Sequence, residues 1–458
     1  MAEEDQIYNS LVDIVGEEDV SNREEELYVY SRESGALTSK RPDYVAMPKT
    51  VEEVQKIIKL ANEAKITIVP MGGGLSLSGL TLPIRGGIVL DMKRMNKIIE
   101  VNEKSRYALI EGGVTQGKLR SYLAKNYPHL QSLLPDSPPS ATIAGNVIIY
   151  GSGALSQRYG LSSDQINGFE VVLPTGEVCK LGSSAVSTYW HTKASLPDLT
   201  GLFIGWFGTT GIVTKLSVKL YPNPKKRDYI VFNLESIDQI PDAIFKVIQT
   251  EMVEDILLTS QEEPAWMKGM VLLLAYITGE SDDEMEFKKR ILADTLKDEA
   301  QYIESTMLGS DFRDRFLERP QFAAWVADVR RGGGFVYCGG FMPLEKIPEA
   351  FRKTEEISHK YGFTYTTSFR VVGKGTVLFF PPFPFNRADK NDVDNAVSAM
   401  HETDELVLEL GGVPWKPDIH VQKLIMERMD PNTLELMKKI KKLFDPNGIM
   451  NPGNWEVD

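Results

Sequence analysis

The chain has 458 residues, which is enough for two or three domains with sizeable cores. Its 51 Lys and Arg against 64 Asp and Glu give a formal charge of −13, so nucleic acid and anionic membrane surfaces are disfavoured as main partners. Two cysteines cannot supply the four thiolates of an iron–sulfur cluster or a Cys-rich zinc site. The acidic N-terminus does not resemble a secretory signal and no apolar run reaches the roughly 18 residues of a membrane span, so we expect a cytoplasmic protein without a membrane span.

Composition and patterning divide the chain into four parts. They are an N-terminal helical lead-in over 1–39, a strand-rich α+β domain over 40–222, a second α+β domain over 223–425 and a C-terminal segment over 426–458. The first boundary between domains is the linker YPNPKKRD at 221–228, which combines two prolines with a basic cluster.

The first domain alternates short apolar runs with Gly-rich turns. The runs ITIVP, GIVLDM, YALIEGG, FEVVLPTGEV and GIVTKLSVKLYP predict strands. TVEEVQKIIKLANEAK has apolar residues at helical spacing, and it predicts a helix with Thr50 as N-cap and Glu53 three residues later.

The second domain shows strand-like runs separated by charged helical segments. VLLLAYITGE, GGFVYCGG and GTVLFFPP predict strands, and DDEMEFKKRILADTLKDEA predicts a helix, so we expect a sheet covered by helices on one face. In the last part, NTLELMKKIKKLF predicts a helix that the Pro- and Gly-rich DPNGIMNPGNW ends.

The most informative stretch is GGGLSLSGLT at 72–81, directly after the predicted strand ITIVP. Its glycines do not follow the GxGxxG spacing and no GK[ST] follows, so neither the usual dinucleotide fingerprint nor the usual triphosphate loop is present. Glycine permits positive φ and close approach of a ligand, and consecutive N–H groups can bind an anion. The stretch is therefore either a phosphate-binding loop or an ordinary turn.

Two further stretches in the same domain are rich in small residues. One lies within 135–177, where Ala141, Thr142, Ala144, Gly145, Gly151, Ser152 and Gly153 leave room for a planar ring. The other begins at Gly201 and adds Gly205, Gly208 and Gly211 before a strand. Each alone is compatible with a tightly packed turn, but together the three predict an extended site for a long, flat, phosphate-bearing cofactor.

These motifs resemble the FAD-linked oxidase family of vanillyl-alcohol oxidase and p-cresol methylhydroxylase, which includes the glycolate oxidase flavin subunit and D-lactate dehydrogenase-like proteins. The resemblance runs from about residue 40 to the C-terminus. The family's first loop, PxGxGxxLSG, is matched at Pro70, Gly72, Gly74, Leu77, Ser78 and Gly79. Its second signature is matched at Thr142, Gly145, Asn146, Gly151, Arg158, Tyr159, Gly160, Asp164, Gly168 and Glu170, and its third at Gly208, Gly211, Ile212 and Val213.

The resemblance implies a two-subdomain FAD-binding fold of the p-cresol methylhydroxylase type over 40–222, a substrate domain with an antiparallel sheet, and a C-terminal segment that returns to the FAD domain. The FAD-binding residues that it implies are Pro70, Met71, Gly72, Gly73, Gly74, Leu75, Ser76, Leu77, Ser78, Pro135, Asp136, Ala141, Thr142, Gly145, Asn146, Gly151, Ser152, Gly153, Tyr159, Gly160, Gly208, Gly211, Ile212, Val213 and Asn451.

Some positions depart from the family. Met71 stands where many relatives have Arg and Ser76 where many have Gly, so helix N-termini or Arg158 must complement the phosphate charge. The first loop has no His, Cys or Tyr that could attach the cofactor, so we expect dissociable FAD. The paired histidines that bind a metal in the glycolate and lactate branch are missing, and no metal site is predicted.

The candidate catalytic residues lie in the second domain. Relatives carry an aromatic–Arg pair near the flavin N1 where this chain has Trp415 and Lys416, which implies that Lys416 stabilises the reduced ring unless it is a solvated loop lysine. His420 is a candidate base, or else an ordinary hydrogen-bonded histidine. Tyr365, Arg370, Tyr337 and Trp325 are candidates for the substrate pocket, although aromatics in strands are commonly core residues.

The predicted function is an FAD-dependent dehydrogenase or oxidase that takes a hydride from a 2-hydroxy acid or a phenolic or benzylic alcohol to flavin N5. Electrons pass to oxygen or to a protein acceptor such as an electron-transfer flavoprotein, a cytochrome or an iron–sulfur subunit. Two alternatives stay open: redox-neutral chemistry of the alkylglycerone-phosphate synthase type, and an inactive flavin-binding subunit of an electron-transfer complex. A homodimer is an open alternative for the assembly.

Overall fold

The computed structural model describes residues 5–263, 265–303, 332–373 and 375–456, so the predicted substrate-pocket residue Trp325 lies outside the described residues. The helices of the described part, in chain order, are α1 (Gln6–Val15), α2 (Glu24–Tyr30), α3 (Val51–Ala64), α4 (Gln116–Asn126), α5 (Ile143–Ile148), α6 (Ser156–Tyr159), α7 (Ile240–Gln249), α8 (Asp282–Thr295), α9 (Ile347–Lys360), α10 (Lys390–Glu409), α11 (Ile419–Arg428) and α12 (Pro431–Phe444).

The strands of the first domain form two main sheets. They are β1 (Val20–Ser21), β2 (Tyr44–Ala46), β3 (Ile68–Met71), β4 (Ile88–Asp91), β5 (Ile98–Asn102), β6 (Tyr107–Glu111), β7 (Leu130–Gln131), β8 (Ile166–Val172), β9 (Val178–Lys180), β10 (Ile212–Lys219) and β11 (Tyr221–Pro222). The first sheet has the order β1-β2-β4-β3 with parallel pairing of β2, β4 and β3, and the second is antiparallel with the order β5-β6-β10-β8-β9. A β7–β11 pair stands apart.

The predicted helix after Thr50 is confirmed as α3. The Thr50 hydroxyl accepts a hydrogen bond from the Glu53 N–H at 3.2 Å, and the Glu53 carboxylate accepts one from the Lys49 N–H at 2.6 Å. These bonds satisfy donors that the first turn leaves free. Val54, Ile57 and other apolar residues of one face are buried against the first sheet and α1, so the helix fixes the strand β3 that leads into the glycine-rich stretch.

The second domain is built on an antiparallel sheet of eight strands in the described part. Its strands are β12 (Lys226–Leu234), β13 (Asp255–Gln261), β14 (Val271–Gly279), β15 (Ala300–Ile303), β17 (Gly340–Met342), β18 (Thr366–Val372), β19 (Thr376–Phe379) and β21 (Val413–Pro414), in the order β15-β12-β14-β13-β18-β19-β17-β21. The strands β16 (Gly333–Tyr337) and β20 (Pro382–Asn386) pair separately. The predicted α+β class with an antiparallel sheet in the second domain is confirmed.

Side chains alternate between the two faces of this large sheet. On β12, Ile230 and Phe232 join a core with α7 to α10, whereas Tyr229 and Val231 lie on the opposite face. That opposite face also packs against Leu161 of the first domain. Because successive residues of a strand point to opposite faces, one sheet can be covered by helices on one side and face the first domain on the other.

The C-terminal segment returns to the first domain. Met450 pairs with Ile68 of β3 in a parallel bridge, and Ile449 and Met450 are buried in the core beneath the first sheet. Lys441 of α12 donates to the Thr209 carbonyl at 2.9 Å and to the Asp445 carboxylate at 2.6 Å. Among the described residues, no helix combines the length and the apolar character needed to cross a bilayer.

Candidate active site

The loop of residues 72–81, called the first loop here, leaves β3 at Met71. Within the described part of the chain, the backbone N–H groups from Gly73 to Leu77 donate no hydrogen bond. The loop closes at Gly79, which has a φ of 66°, and the Gly79 N–H donates to the Glu33 carboxylate at 2.8 Å. Five consecutive free donors on a glycine-rich backbone are suited to the oxygens of a phosphate group.

The first loop borders a cavity of about 330 Å³ between the two domains, which falls in the size range of small-molecule sites. Its walls are Ser34, Gly72, Gly73, Gly74, Leu75, Ser76, Leu77, Ser78, Leu80, Thr81, Asp136, Ser137, Pro138, Ala141, Thr142, Gly145, Asn146, Ile149, Ser152, Phe335, Trp415 and Lys416. The first domain contributes most of this wall, and the second domain contributes Phe335, Trp415 and Lys416.

A second cavity of about 90 Å³ continues the first one into the first domain. It is lined by Pro70, Met71, Gly72, Leu80, Thr81, Met92, Gly112, Thr142, Ala144, Gly145, Ile148, Ile149, Phe207, Gly208, Gly211, Ile212 and Val213. Gly72, Thr142 and Gly145 belong to both walls. The two cavities therefore form one elongated trough, along which all three glycine-rich stretches of the sequence meet.

The glycines of the trough hold positions that a side chain cannot occupy. A Cβ atom on Gly72 would lie 2.2 Å from Oγ1 of Thr142, and one on Gly208 would lie 2.6 Å from Cγ of Pro70. Thr142 is the N-cap of α5, and its Oγ1 accepts from the Gly145 N–H at 3.3 Å. The narrow, side-chain-free backbone and its free N–H groups fit a long diphosphate-bearing cofactor.

A buried charge network spans the two domains beside the trough. Arg370 of β18, only 2 % exposed, donates through Nε to Asp255 of β13 at 2.9 Å and through its NH1 group to Asp136 of the first domain. The second oxygen of Asp136, Oδ1, is buried and has no hydrogen-bond partner in the described part. Burial raises the pKa of Asp136, whereas Arg370 and Lys416 act in the opposite direction. Burial likewise raises the pKa of Asp255 to about 6, against the attraction of Arg370.

Lys416 is the cationic side chain in the trough wall. It has a φ of 54°, and its Nζ lies 3.6 Å from the centroid of the Trp415 ring. Burial lowers the pKa of Lys416 to about 7, with the Asp136 carboxylate acting in the opposite direction. The indole Nε1 of Trp415 donates to the Tyr150 carbonyl at 2.8 Å, which fixes the Trp–Lys pair against the first domain.

The structure gathers most of the predicted FAD-binding residues, together with Lys416, along the trough. The remaining predicted residues line neither cavity: Pro135, Gly151, Gly153, Tyr159, Gly160, Asn451, Tyr365, Arg370 and His420. Of these, Arg370 contacts the wall through Asp136. Gly153 packs against the backbone of Leu134 and Pro135, since a Cβ there would lie 1.8 Å from the Leu134 carbonyl oxygen.

Two predicted catalytic residues lie away from the trough wall. His420 is exposed on α11, and its ring centroid lies 4.4 Å from that of His401, whose Nε2 contacts the Asp418 carboxylate at 2.7 Å. Tyr365 is buried, and its N–H donates to Glu262.

Glu262, Glu355 and His359 bring potential metal-ligand atoms within 4.8 Å of one another at the surface, but none of them lines either cavity. The described residues therefore place no histidine where a reacting group could touch it inside the trough.

Two more residues predicted to contribute to the FAD site, Arg158 and Asn451, line neither cavity. Arg158, a candidate for complementing the phosphate charge, pairs with Glu254 of the second domain rather than with the trough. Asn451 has a φ of 40° and donates from Nδ2 to the carbonyls of Leu80 and Phe207, at 2.9 and 2.6 Å. Asn451 therefore links the first loop to the glycine-rich stretch that begins at Gly201. Only the backbone of the pocket candidate Tyr337, in β16, is described.

Sequence reasoning missed several wall residues. Ser34 belongs to the stretch predicted as a helical lead-in, and Phe335 follows three glycines in a strand without any distinguishing motif. Three other wall residues could have been predicted, because they adjoin residues that the motifs single out. They are Leu80 and Thr81 at the end of the first loop, and Phe207 next to Gly208.

Comparison with family models identifies two domains. Residues 42–182 match the model described as FAD binding domain, and residues 223–455 match the model described as FAD linked oxidases, C-terminal domain. Among curated proteins, the chain is 27% identical to glycolate oxidase subunit GlcD of Bacillus subtilis (strain 168), covering 98% of this chain and 96% of that protein. It is also 27% identical to D-lactate dehydrogenase of Anaerostipes hadrus, covering 90% of this chain and 89% of that protein.

Solved structures share the architecture. The chain superposes on substrate-bound p-cresol methylhydroxylase with a TM-score of 0.85 at 22% identity, covering 99% of this chain and 96% of that chain. Alkyldihydroxyacetonephosphate synthase gives a TM-score of 0.74 at 17% identity, covering 98% of this chain and 86% of that chain. At identities this low, the two superpositions establish a common fold alone.

Proposed function

The chain belongs to the FAD-linked oxidases and uses FAD as an FAD-dependent oxidoreductase, and on that premise we propose that it oxidises a hydroxyl-bearing carbon of a small molecule inside the trough. The observation that carries the proposal is the arrangement of the wall: free backbone donors of the first loop lie at one part, and Asp136 and Lys416 face the same cavity at the domain interface. The predicted p-cresol methylhydroxylase-type fold and the predicted family are both confirmed.

Each part of the trough has a separate task in this proposal. FAD bound there supplies the hydride acceptor. The free N–H groups of the first loop would bind its diphosphate, and the side-chain-free backbone at Gly208 and Gly211 would accommodate the adenosine end in the second cavity. The wider, interdomain cavity would then hold the flavin ring beside Lys416, whose positive charge would favour negative charge on the ring.

Asp136 is a better candidate than His420 for the group that accepts the hydroxyl proton of the substrate. Its unpaired Oδ1 and its raised pKa suit a group that takes the hydroxyl proton of the substrate as the carbon loses its hydride. Arg370, which Asp255 holds through its Nε, holds Asp136 in position. His420, the residue favoured on resemblance, is exposed and lies outside the wall.

We further propose that FAD binds without a covalent bond. In the described part of the chain, neither cavity wall contains a His, Cys or Tyr side chain. Acid precipitation of the purified protein should therefore leave yellow FAD in the supernatant. A yellow pellet would show a covalent link.

The electron acceptor is proposed to be a separate protein, with oxygen as the alternative. The motifs offer no nicotinamide fingerprint and the cysteines no cluster, and one relative is named as a subunit of glycolate oxidase. Candidate acceptors are an electron-transfer flavoprotein, a cytochrome and an iron–sulfur subunit. Stopped-flow mixing of the reduced protein with oxygen separates these options, because slow reoxidation, over minutes, is expected of a dehydrogenase.

An anaerobic titration tests the reaction class. The purified protein is mixed with a panel of 2-hydroxy acids, phenolic alcohols and amines, and the flavin band near about 450 nm is followed. Bleaching by one class identifies the substrate. A band that stays unchanged with every class would instead favour an inactive subunit, and product formation without net reduction would favour redox-neutral chemistry of the kind that alkyldihydroxyacetonephosphate synthase represents.

Two variants test the proton acceptor once a substrate is known. Asp136→Asn should slow flavin reduction by about 100-fold or more, since a positioned base contributes about 10²–10⁴-fold. His420→Ala should reduce the flavin at nearly the wild-type rate. Asp238→Asn, which removes a carboxylate from an exposed ion pair with Arg352, is the control. Fast reduction in Asp136→Asn together with slow reduction in His420→Ala would reverse the assignment.

A further inference from the structure

A short segment outside both predicted domains forms part of the trough wall. Residues 33–37, called the strap here, follow α2 and form bends without regular structure. Ser34 lines the interdomain cavity together with residues of the first loop. The strap therefore lies where a ligand in that cavity would contact it.

One side of the strap is fastened to the first loop. The Glu33 carboxylate accepts hydrogen bonds from the N–H groups of Gly79 and Leu37, at 2.8 and 3.1 Å. The fit is close, because a Cβ on Gly35 would lie 2.6 Å from the Leu77 carbonyl oxygen and a Cβ on Gly79 would lie 2.7 Å from Cδ1 of Leu37. Glu33 thus holds the end of the first loop, whose residues with free N–H groups line the cavity.

The other side of the strap is fastened to the second domain. Arg387, one residue after β20, donates through NH1 to the Gly35 carbonyl at 3.2 Å and through its NH2 group to the Ser34 carbonyl. Ala36 and Leu37 pack against the hydrophobic core of the second domain. The strap consequently links the first loop to the second domain across the interdomain cavity.

We infer that the strap retains FAD: Glu33 and Arg387 are positioning residues that keep the first loop in its binding shape and close the cavity, so that the cofactor leaves only when the strap moves. The inference rests on the proposed function, since it assumes FAD in the trough. Loss of a hydrogen bond to a charged group weakens a contact by an amount equal to about tenfold or more in an equilibrium, and such a loss should appear directly in the rate of cofactor release.

The test measures FAD release from the holoprotein by the rise of free-flavin fluorescence after dilution. Glu33→Gln and Arg387→Met should each release FAD about tenfold faster than wild type or more, and the double variant should fall short of the product of the two effects because both side chains hold one segment. Arg387→Lys keeps the positive charge but lacks the planar guanidinium group, so its FAD release rate should lie between those of wild type and Arg387→Met. Glu24→Gln is the matched control, because it removes only an exposed ion pair with Arg41.

Gly35→Ala provides a perturbation that changes no charge. Its added methyl group pushes the strap from the loop and should accelerate release as Glu33→Gln does, while unfolding temperatures of the apoproteins report any general loss of folding. Wild-type release rates in Glu33→Gln, Arg387→Met and Gly35→Ala would overturn the role of the strap alone. A wild-type protein that binds no FAD would overturn the proposed function and this inference with it.

Discussion

At the scale of single residues, the chemistry proposed for the trough depends on whether Lys416 carries its charge. Burial lowers its pKa to about 7, so the ammonium is charged below that pH and neutral above it. A positive charge beside the flavin ring favours both hydride uptake and sulfite addition, because each places negative charge on the ring. We therefore expect both properties to weaken as the pH rises through about 7.

Substitution of Lys416 tests this expectation. Lys416→Met should slow flavin reduction by about 100-fold, the size of the effect of removing one electrostatic stabiliser, and should abolish the pH step in sulfite affinity. Lys416→Arg should stay charged and keep the affinity high to pH 9. Lys423→Met, at an exposed position of α11, should behave as wild type. A pH step that persists in Lys416→Met would assign the titration to another group.

Arg370 shows the opposite case, a charge that is held in place by two partners. Arg370→Met would leave Asp136 and Asp255 without their shared cation, and we expect a loss of about 3–5 kcal/mol in the free energy of unfolding. Urea titration followed by tryptophan fluorescence measures the loss. Arg352→Met, which breaks an exposed ion pair with Asp238, should cost less than about 1 kcal/mol.

A second variant separates charge from packing in this network. Arg370→Met combined with Asp255→Asn removes one of the two stranded carboxylates, so it should recover part of the lost stability. If the double variant is less stable than Arg370→Met alone, packing of the guanidinium rather than charge balance explains the effect of the single substitution.

At the scale of elements, the trough depends on the contact between the first loop and α5. Gly72→Ala would place a methyl group 2.2 Å from Oγ1 of Thr142 and force the loop away from the helix. Overpacking of this kind costs about 1–3 kcal/mol, which corresponds to about a 5- to 150-fold rise in the Kd of FAD. Gly201→Ala is the control, since a Cβ there meets no atom within 4 Å. Equal FAD affinities in both variants would place the diphosphate elsewhere.

Elements with local signals could be predicted from the sequence, and long-range contacts could not. Thr50 and the apolar spacing after it define α3 within one stretch, and the glycine-rich stretches mark the trough because close packing restricts residue type at each position. Arg370 and Asp136, by contrast, are 234 positions apart and share no local pattern. The match of His420 to a family position likewise did not predict that its side chain is exposed on α11 and lines neither cavity.

The strap shows a further limit of sequence reasoning at this scale. Residues 33–37 contain no motif, and the pattern predicted only a helical lead-in over 1–39, in which the structure places α1 and α2. What gives Glu33 its role is the position of the Gly79 N–H, 46 residues later. Tertiary partners of this kind are set by the fold and leave no trace in the local pattern.

At the scale of the whole molecule, the two domains have separate cores, and the interface between them combines apolar contacts, such as that of Leu161 with the large sheet, with ion pairs. One core packs the helices of the second domain on its large sheet, and others lie within the first domain. Contacts between the domains include the ion pairs Arg370–Asp136 and Arg158–Glu254. Because such an interface is weaker than a domain core, we expect the two domains to unfold separately in the apoprotein.

FAD should couple the two domains, whereas its adenosine diphosphate half should not. The second cavity is lined by the first domain alone, and the interdomain cavity also by Trp415 and Lys416. Differential scanning calorimetry of the apoprotein should therefore show two transitions. ADP should raise only the transition of the first domain, while FAD at about 100 times its Kd should add about 2.7 kcal/mol and bring both transitions together at higher temperature.

The comparison of ADP with FAD in this experiment tests the orientation of the cofactor. Binding of the flavin ring at Lys416 requires FAD to contact both domains, so the transition of the second domain must respond to FAD and not to ADP. If ADP raises both transitions equally, the adenosine end lies at the domain interface and the orientation is reversed. If FAD raises only the first-domain transition, the ring does not reach Lys416, and its charge cannot act on the chemistry.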